Sequence, residues 1–403
     1  MHALVVALFG LQGTAAWQLP HRVLANSPHG QMPLTFQTND DDIDISGADT
    51  IAGLKTFANL PFVDCFSGGD AEGQLYDIAI FGAPHDTTTT GRPGARFGPP
   101  AIRMGSQRKG PGQWDIFTGR DPLQSWARVV DCGDARLTWL DNTVSLKRLD
   151  KAHKVTGLEL QIQEQDADED KGISGRPAAN SAVSVTPRIL ALGGDHTTTL
   201  SALRSTYEKW GPVSVIHFDS HIDTWDPSVL GGGISDYAGL NHGTFLHIAH
   251  EEHLILNTSI HAGIRAPLIR RKGDLRNDVR CGFEIVTARD LDKLGAQGVI
   301  SKIKERVGDS KVYISVDIDV LDPAFAPATG TAEPGGWSTR ELLTILEGLE
   351  GLSVVGADVV EVAPVYDNAG ETTVLAAAEV AYSLIDLMVT TPVKSKADLE
   401  TGQ

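Results

Sequence analysis

Short apolar runs that alternate with helical stretches constrain the fold of this chain more than any other feature of the sequence. The runs are rich in β-branched residues and end in turn-forming ones: YDIAIFGAP, RILALGG, VSVIHFD, TSIHAGI, VYISVDIDV and SVVGADVVEV. Their apolar residues are continuous instead of alternating, which is typical of strands buried on both faces of a parallel sheet. The sequence therefore predicts a three-layer α/β/α fold with a parallel central sheet.

The first fifty residues do not share this pattern. Residues 1–16 carry an apolar core followed by small residues, as a secretory signal peptide does, and residues 17–50 are a polar arm without apolar periodicity. Residues 51–403 are predicted to form a single domain, interrupted by an acidic surface loop near residues 163–181. We expect a protein of the secretory pathway, with a cytoplasmic location as the alternative because the leader lacks Lys and Arg before its apolar core.

The composition restricts the class of partner. The formal net charge is -18, and 41% of the residues are hydrophobic, enough for a globular protein with a full core. Such an acidic chain repels nucleic acids and anionic membranes at long range, so neither is expected as a partner. A small cationic substrate would be attracted.

Cysteine is too scarce to suggest a disulfide framework or a thiolate zinc site. The chain has three cysteines, Cys65, Cys132 and Cys281, which are widely separated in the sequence. Each is therefore predicted to be a buried or free thiol.

Acidic and imidazole side chains follow three of the apolar runs at the point where each run ends. They are Asp195 and His196 after ILALGG, Asp219, His221 and Asp223 after VSVIHF, and Asp317, Asp319 and Asp322 after VYISV. The carboxyl ends of parallel strands meet at one edge of a sheet, and alternate residues of an extended segment point to the same side. We therefore expect these groups to converge.

A converging set of buried carboxylates needs cations. One Asp after a strand is usually a turn former or a helix cap, but the burial of several together costs desolvation and mutual repulsion unless the charge is neutralised. Four carboxylates and two imidazoles balance two divalent ions. Their oxygen-rich, thiolate-free character favours manganese over structural zinc, and paired ions of this kind catalyse hydrolysis.

Three motifs also resemble a known family. GGDH, FDSHID and SVDIDVLDPAFAPATGTAEPGG resemble the signature motifs of the ureohydrolases, the binuclear manganese family of arginases, agmatinases, guanidinobutyrases and proclavaminate amidinohydrolases, over about residues 75 to 390. The resemblance implies an arginase-like fold, a trimer or hexamer, and two Mn²⁺ ions per chain. One ion would bind His196, Asp219, Asp223 and Asp317, and the other His221, Asp219, Asp317 and Asp319, with Asp219 and Asp317 shared.

The resemblance also implies three catalytic residues. Glu361 in VVEVAPVYD would hold the guanidinium group, His242 in GLNHGTF would relay protons, and Asp223 would hold or receive a proton for the departing amine. Ala363 stands where arginases usually have Asn, so the chain resembles the agmatinase branch, which includes fungal agmatinase-like and guanidinobutyrase-like proteins.

The sequence thus predicts hydrolysis of agmatine to urea and putrescine, with 4-guanidinobutyrate as the alternative substrate. Arg92, Arg96 and Arg265 are candidate readers of a substrate carboxylate, although arginine more often has a structural role. Two remoter readings are a single-zinc amide deacetylase and a non-catalytic relative. A single-zinc deacetylase would not need all six ligands. A non-catalytic relative would be favoured by loss of His242 or of a bridging carboxylate, and the sequence retains these residues.

Overall fold

Eight parallel strands form one sheet in the computed structural model of the protein, which describes residues 55–66, 75–153, 178–180, 182–232, 234 and 237–400. The strands are β1 Ile78–Ala83, β2 Val129–Asp134, β3 Arg188–Gly193, β4 Ser214–Phe218, β5 Ser259–Ile264, β6 Phe283–Thr287, β7 Lys311–Asp317 and β8 Ser353–Val360. Their order across the sheet is β2-β1-β3-β8-β7-β4-β5-β6. The predicted signal peptide and polar arm, and all of the acidic loop except residues 178–180, lie outside the described residues.

All six strands predicted from continuous apolar runs are present, as β1, β3, β4, β5, β7 and β8. The two that were not predicted, β2 and β6, are the edge strands. In β6 only Phe283 and Val286 are buried, and Glu284 is exposed. An edge strand is less covered than a central one, so the apolar run that identifies a central strand is shorter or absent.

Helices cover both faces of the sheet, which confirms the predicted three-layer fold. They are α1 Gly98–Gly105, α2 Asn142–His153, α3 Thr198–Trp210, α4 Phe245–Glu251, α5 Arg271–Arg280, α6 Asp290–Val307, α7 Thr339–Gly348, α8 Thr372–Thr390 and α9 Lys396–Glu400. Helices α1, α6, α7 and α8 share one core with one face of the strands. Helices α2, α3 and α4 pack on the other face.

Helix α8 is long and apolar enough to cross a membrane, and it alone has these properties within the described part of the chain. The mean hydropathy of its most apolar 18 residues is 1.5, but 78% of that stretch is buried inside the protein. Ile385 and Met388 on this helix are fully buried in the core. Burial of this extent is that of a core helix in a three-layer fold.

The prediction that each cysteine is a buried or free thiol is wrong for two of the three. Cys65 and Cys132 form a disulfide, with Cα atoms 5.3 Å apart and a sequence separation of 67 residues. The segment that contains Cys65 runs beside β2, since Val63 N donates to Asp131 O at 3.0 Å. Only this tertiary pairing brings the cysteines together. Cys281 is a buried free thiol.

Candidate metal centre and active site

The order of the strands brings the predicted site residues together. Strands β3, β8, β7 and β4 are consecutive neighbours in the sheet. At or directly after their carboxyl ends stand, in that order, His196, Glu361, Asp317 and Asp219. A binding site at this edge is typical of parallel α/β sheets.

One group of predicted ligands surrounds the Nδ1 atom of His196. This atom lies 3.1 Å from Asp219 Oδ2, 3.1 Å from Asp223 Oδ2 and 3.4 Å from Asp317 Oδ2. None of these approaches has hydrogen-bond geometry, and both His196 Nδ1 and Asp219 Oδ2 are buried without a hydrogen-bond partner among the described residues. Four electronegative atoms therefore face one another at close range.

The hydrogen bonds behind His196 place a ring proton on Nε2, which leaves Nδ1 as the atom available to a metal ion. Asp358 Oδ1 accepts from the Ser315 hydroxyl at 2.6 Å, so the Ser315 hydroxyl proton is not available to His196. Ser315 Oγ must then accept from His196 Nε2, which is 2.7 Å away. With its proton on Nε2, the neutral imidazole presents only an acceptor to the carboxylates, as a metal-binding histidine does. This arrangement fits a cation.

A second group lies around His221. Its Nδ1 atom is 3.3 Å from Asp219 Oδ1 and 3.0 Å from Asp319 Oδ2. The other oxygen of Asp319 accepts from the backbone N and hydroxyl of Ser220, at 3.0 and 2.8 Å, which fixes the carboxylate. Asp219 thus contributes one oxygen to each group, the geometry expected of a shared ligand.

Asp317 belongs to the first group through Oδ2, while its Oδ1 accepts from the backbone N of Asp319 at 2.8 Å. Burial, followed by the charges of Asp319 and Asp219, raises the pKa of Asp317 well above its usual range. Burial and the charge of Asp219 likewise raise the pKa of Asp223 to about 6. The crowded carboxylates repel one another, and divalent cations would remove that repulsion.

His217 is a further imidazole beside the first group. Its Nε2 atom lies 3.1 Å from Asp219 Oδ2 and 3.9 Å from Asp223 Oδ2, and the ring is fully buried. Strand alternation in the sequence indicates this proximity, since His217 precedes Asp219 by two residues and the two side chains point to the same side of the extended segment. The structure places the ring within reach of the predicted ligands.

Glu361 and His242 meet next to the first group. Glu361 Oε1 accepts from the His196 backbone N and pairs with His242 Nδ1, both at 2.9 Å. Glu361 is 1% exposed, and its Oε2 atom has no hydrogen-bond partner among the described residues. This oxygen is an unused acceptor that a planar cation could reach.

Two predicted site residues have a strained backbone. Asp223 has φ 48° and Glu361 has φ 62°, in the left-handed region that non-glycine residues rarely adopt. Each such residue costs about 1 to 3 kcal/mol and persists where the surrounding structure enforces it, often at functional sites. In Glu361 the backbone N donates to Gly194 O at 2.8 Å, which holds the turn in place.

The close packing of GGDH explains its second glycine. A Cβ atom on Gly194 would overlap the backbone of His85. Asp195 N donates to His85 O at 2.6 Å, so the loop after β1 lies directly against the end of β3. Glycine is therefore required here for the approach of the two backbones.

Several site residues were not predicted from the sequence. Ser315 and Asp358 lie inside the apolar runs of β7 and β8, and Thr90 lies in a loop. Ser315 stands two residues before Asp317, so strand alternation was a usable signal for it. Asp358 and Thr90 had no comparable signal, because their roles depend on contacts with distant segments.

A sequence profile of the arginase family matches residues 76–386. The chain belongs to the arginase family. One relative, "Putative agmatinase 1" of Schizosaccharomyces pombe, is 48% identical over 86% of this chain and 85% of its own length. The proclavaminate amidinohydrolase of Streptomyces clavuligerus is 37% identical over 81% of this chain and 90% of its own. A solved structure of proclavaminate amidinohydrolase from S. clavuligerus has a TM-score of 0.66, at 32% identity, and covers 84% of this arginase-family chain and 98% of the solved one.

Proposed function

We propose that this arginase-family protein hydrolyses agmatine to urea and putrescine with two Mn²⁺ ions per chain. The observation that carries the proposal is the unused, buried Oε2 atom of Glu361, placed beside a cluster of acceptor atoms that could hold cations. The names of the S. pombe relatives support agmatine as the substrate. The proposed ligands are His196, Asp219, His221, Asp223, Asp317 and Asp319.

Glu361 would bind the guanidinium group. Its Oε1 atom is already engaged by His196 N and His242 Nδ1, so Oε2 is the oxygen that would accept from the guanidinium N–H groups. A charge-assisted hydrogen bond in a water-poor site is strong and directional. It would hold the planar cation next to the ligand cluster.

A pair of divalent ions, when bound, lowers the pKa of water to near neutrality and offsets the negative charge that develops during hydrolysis. Asp223 would hold or receive a proton for the departing amine. His242 would return protons to solvent, since imidazole exchanges protons near neutral pH.

Manganese is proposed from the chemistry of the ligands. Four of the six side chains are carboxylates, two are imidazoles and none is a thiolate. Such a set suits harder divalent ions better than it suits structural zinc, for which thiolates are common. Metal analysis of the purified protein tests this assignment directly.

The arginines near the site favour a substrate with an amine tail over one with a carboxylate tail. Arg92 donates to Thr329 O at 2.8 Å, and Arg96 forms an ion pair with Asp86. The guanidinium of Arg265 donates to backbone carbonyls, among them Asp319 O at 2.6 Å. All three candidate carboxylate readers thus have structural partners, which supports agmatine over 4-guanidinobutyrate.

Urea release from a panel of guanidines tests the proposal. Protein reconstituted with Mn²⁺ should release urea from agmatine faster than from 4-guanidinobutyrate or arginine. The matched variant is Glu361→Gln, which keeps the shape of the side chain. Compared with the unmodified protein, it should retain metal but lose most activity. Absence of urea from every guanidine, in a preparation shown to contain two ions per chain, would refute the proposed reaction.

We also propose entry into the secretory pathway and assembly into a trimer or hexamer. The disulfide supports an oxidising compartment, because such bonds persist mainly in secreted and extracellular proteins. Exposed apolar side chains at Trp114, Ile116 and Phe117 support a contact surface. N-terminal sequencing of protein recovered from the medium and light scattering of the purified protein test the two points.

A further inference from the structure

Both ring nitrogens of His242 have partners, and one partner determines where the ring proton lies. Nδ1 is 2.9 Å from Glu361 Oε1. Nε2 accepts from the backbone N of Thr90 at 2.9 Å and is 2.7 Å from the Thr90 hydroxyl. A backbone N–H group can only donate, so Nε2 is unprotonated in this geometry and the proton is on Nδ1.

The loop that carries Thr90 is held on both sides of this contact. Before it, the backbone N and hydroxyl of Thr88 donate to Asp195 Oδ2 at 3.1 and 2.6 Å, and Thr88 O accepts from His242 N at 3.3 Å. After it, Arg92 donates to Thr329 O at 2.8 Å and stacks on the Tyr366 ring. Thr90 is therefore presented to His242 by a fixed stretch of backbone.

Thr90 also differs from His242 in its access to solvent. His242 is only 8% exposed, whereas Thr90 is exposed. A hydroxyl both donates and accepts, while the backbone N–H group of the same residue only donates. The hydroxyl can thus serve the ring in both protonation states: it donates to a neutral Nε2 and accepts from a protonated one.

We propose that Thr90 is a positioning residue for His242 and that its hydroxyl connects the buried Nε2 atom to solvent. The inference rests on the proposed hydrolysis, in which His242 returns protons to water. In the step concerned, the Nε2–H bond breaks and the proton forms a bond to Thr90 Oγ1, whose own proton passes to a water molecule. Rotation of the hydroxyl then restores the starting arrangement.

The charged groups around His242 determine its pKa. Burial lowers the pKa of His242, whereas the carboxylates of Glu361, Asp223 and Asp195 raise it, and the balance is about 9. Cations bound at the ligand cluster, which includes Asp223, would lower that pKa again. The Thr90 hydroxyl contacts Nε2 directly and interacts with it differently in the two protonation states, so its removal should shift the pKa of His242.

Three variants distinguish the effect of losing the hydroxyl from the effect of changing the shape of the loop. Thr90→Val removes the hydroxyl but keeps the β-branched side chain and the backbone N–H group. Thr90→Ser retains the hydroxyl. Thr89→Val is the matched control, since the Thr89 hydroxyl donates to Asp86 O at 3.2 Å, away from His242.

In the Mn²⁺-loaded protein, Thr90→Val should lower kcat for agmatine at least about tenfold with little change in KM, because loss of assisted proton transfer slows turnover. A small buffer base added at high concentration should restore part of the rate. Thr90→Ser and Thr89→Val should behave like the unmodified protein.

Hydrogen–deuterium exchange at C2 of His242, followed by mass spectrometry across pH, gives a second measurement that needs no substrate. Thr90→Val should shift the pKa of His242 by about half a unit or more, as expected for one lost hydrogen bond. An unchanged kcat together with an unchanged exchange profile would overturn the proposal, as would a Thr90→Ser protein that is as slow as Thr90→Val. If the unmodified protein releases no urea from any guanidine, the proposed function fails, while the exchange profile still tests the Thr90 contact.

Discussion

The Nδ1 atoms of His217 and His261 lie 2.8 Å apart, within a buried series of side-chain contacts that connects Asp219 to Asp278. The two histidines are register partners on the neighbouring strands β4 and β5, and both rings are fully buried. His261 Nε2 contacts Asp278 Oδ1 at 2.9 Å. Since Asp278 lies on α5, this series of contacts links the candidate metal centre to a helix outside it.

Replacement of His261 by Phe should destabilise the protein by about 1 to 3 kcal/mol, because it leaves His217 Nδ1 buried without a partner and removes a partner from Asp278. Weaker retention of metal should accompany the loss, as His217 would no longer be held against Asp219. Urea denaturation and metal analysis measure the two effects. His250→Phe, at a partly exposed position of α4, is the control, and equal stability of the two variants would contradict the structural role of His261.

Replacement of Asp219 by Ala should strip the metal and abolish urea release. Asp219 is the one side chain that contributes an oxygen to each ligand group, so its loss affects both. The readouts are ions per chain and urea released from agmatine. Asp226→Ala is a matched control three residues after Asp223, since that carboxylate accepts from Ser228. An active Asp219→Ala protein with a full metal content would refute the two-ion assignment.

The stability of the metal-free protein should depend on the protonation of His242. Burial lowers and Glu361 raises the pKa of this histidine, which rises overall from 6.5 to about 9. A raised pKa stabilises the folded state fully below pH 6.5, and the contribution is lost as pH rises through about 9. The difference in unfolding free energy between the unmodified protein and His242→Gln, measured after chelation, should therefore shrink over that range. A difference that is constant with pH would argue against the raised pKa.

Removal of the disulfide should lower the free energy of unfolding by about 2 to 4 kcal/mol, since the bond closes a long loop in the unfolded chain. The double variant Cys65→Ser with Cys132→Ser tests this in denaturant titrations. Cys281→Ala is the control, since it removes the free thiol, keeps the disulfide and should respond to reducing agent as the unmodified protein does. If dithiothreitol fails to shift the unfolding midpoint of the unmodified protein, the pairing of Cys65 with Cys132 is absent in solution.

Much of the central sheet could be predicted from local sequence. A strand covered on both faces carries apolar residues on both of its sides, so β3, β4 and β7 stand out as nearly continuous apolar runs. The spacing of Asp219, His221 and Asp223 likewise predicted side chains on one side of an extended segment. Edge strands β2 and β6 were not predicted because polar residues interrupt their apolar runs, at Asp131 in β2 and at Glu284 in β6.

The sequence by itself determined which segments are buried strands and which ligand-type residues stand at their carboxyl ends. Tertiary structure decided the order β3-β8-β7-β4, the disulfide between Cys65 and Cys132, and the contact of Thr90 with His242 across 152 residues. The physical reason is that local periodicity reports the environment of each residue, whereas the identity of its neighbours depends on how the whole sheet is assembled.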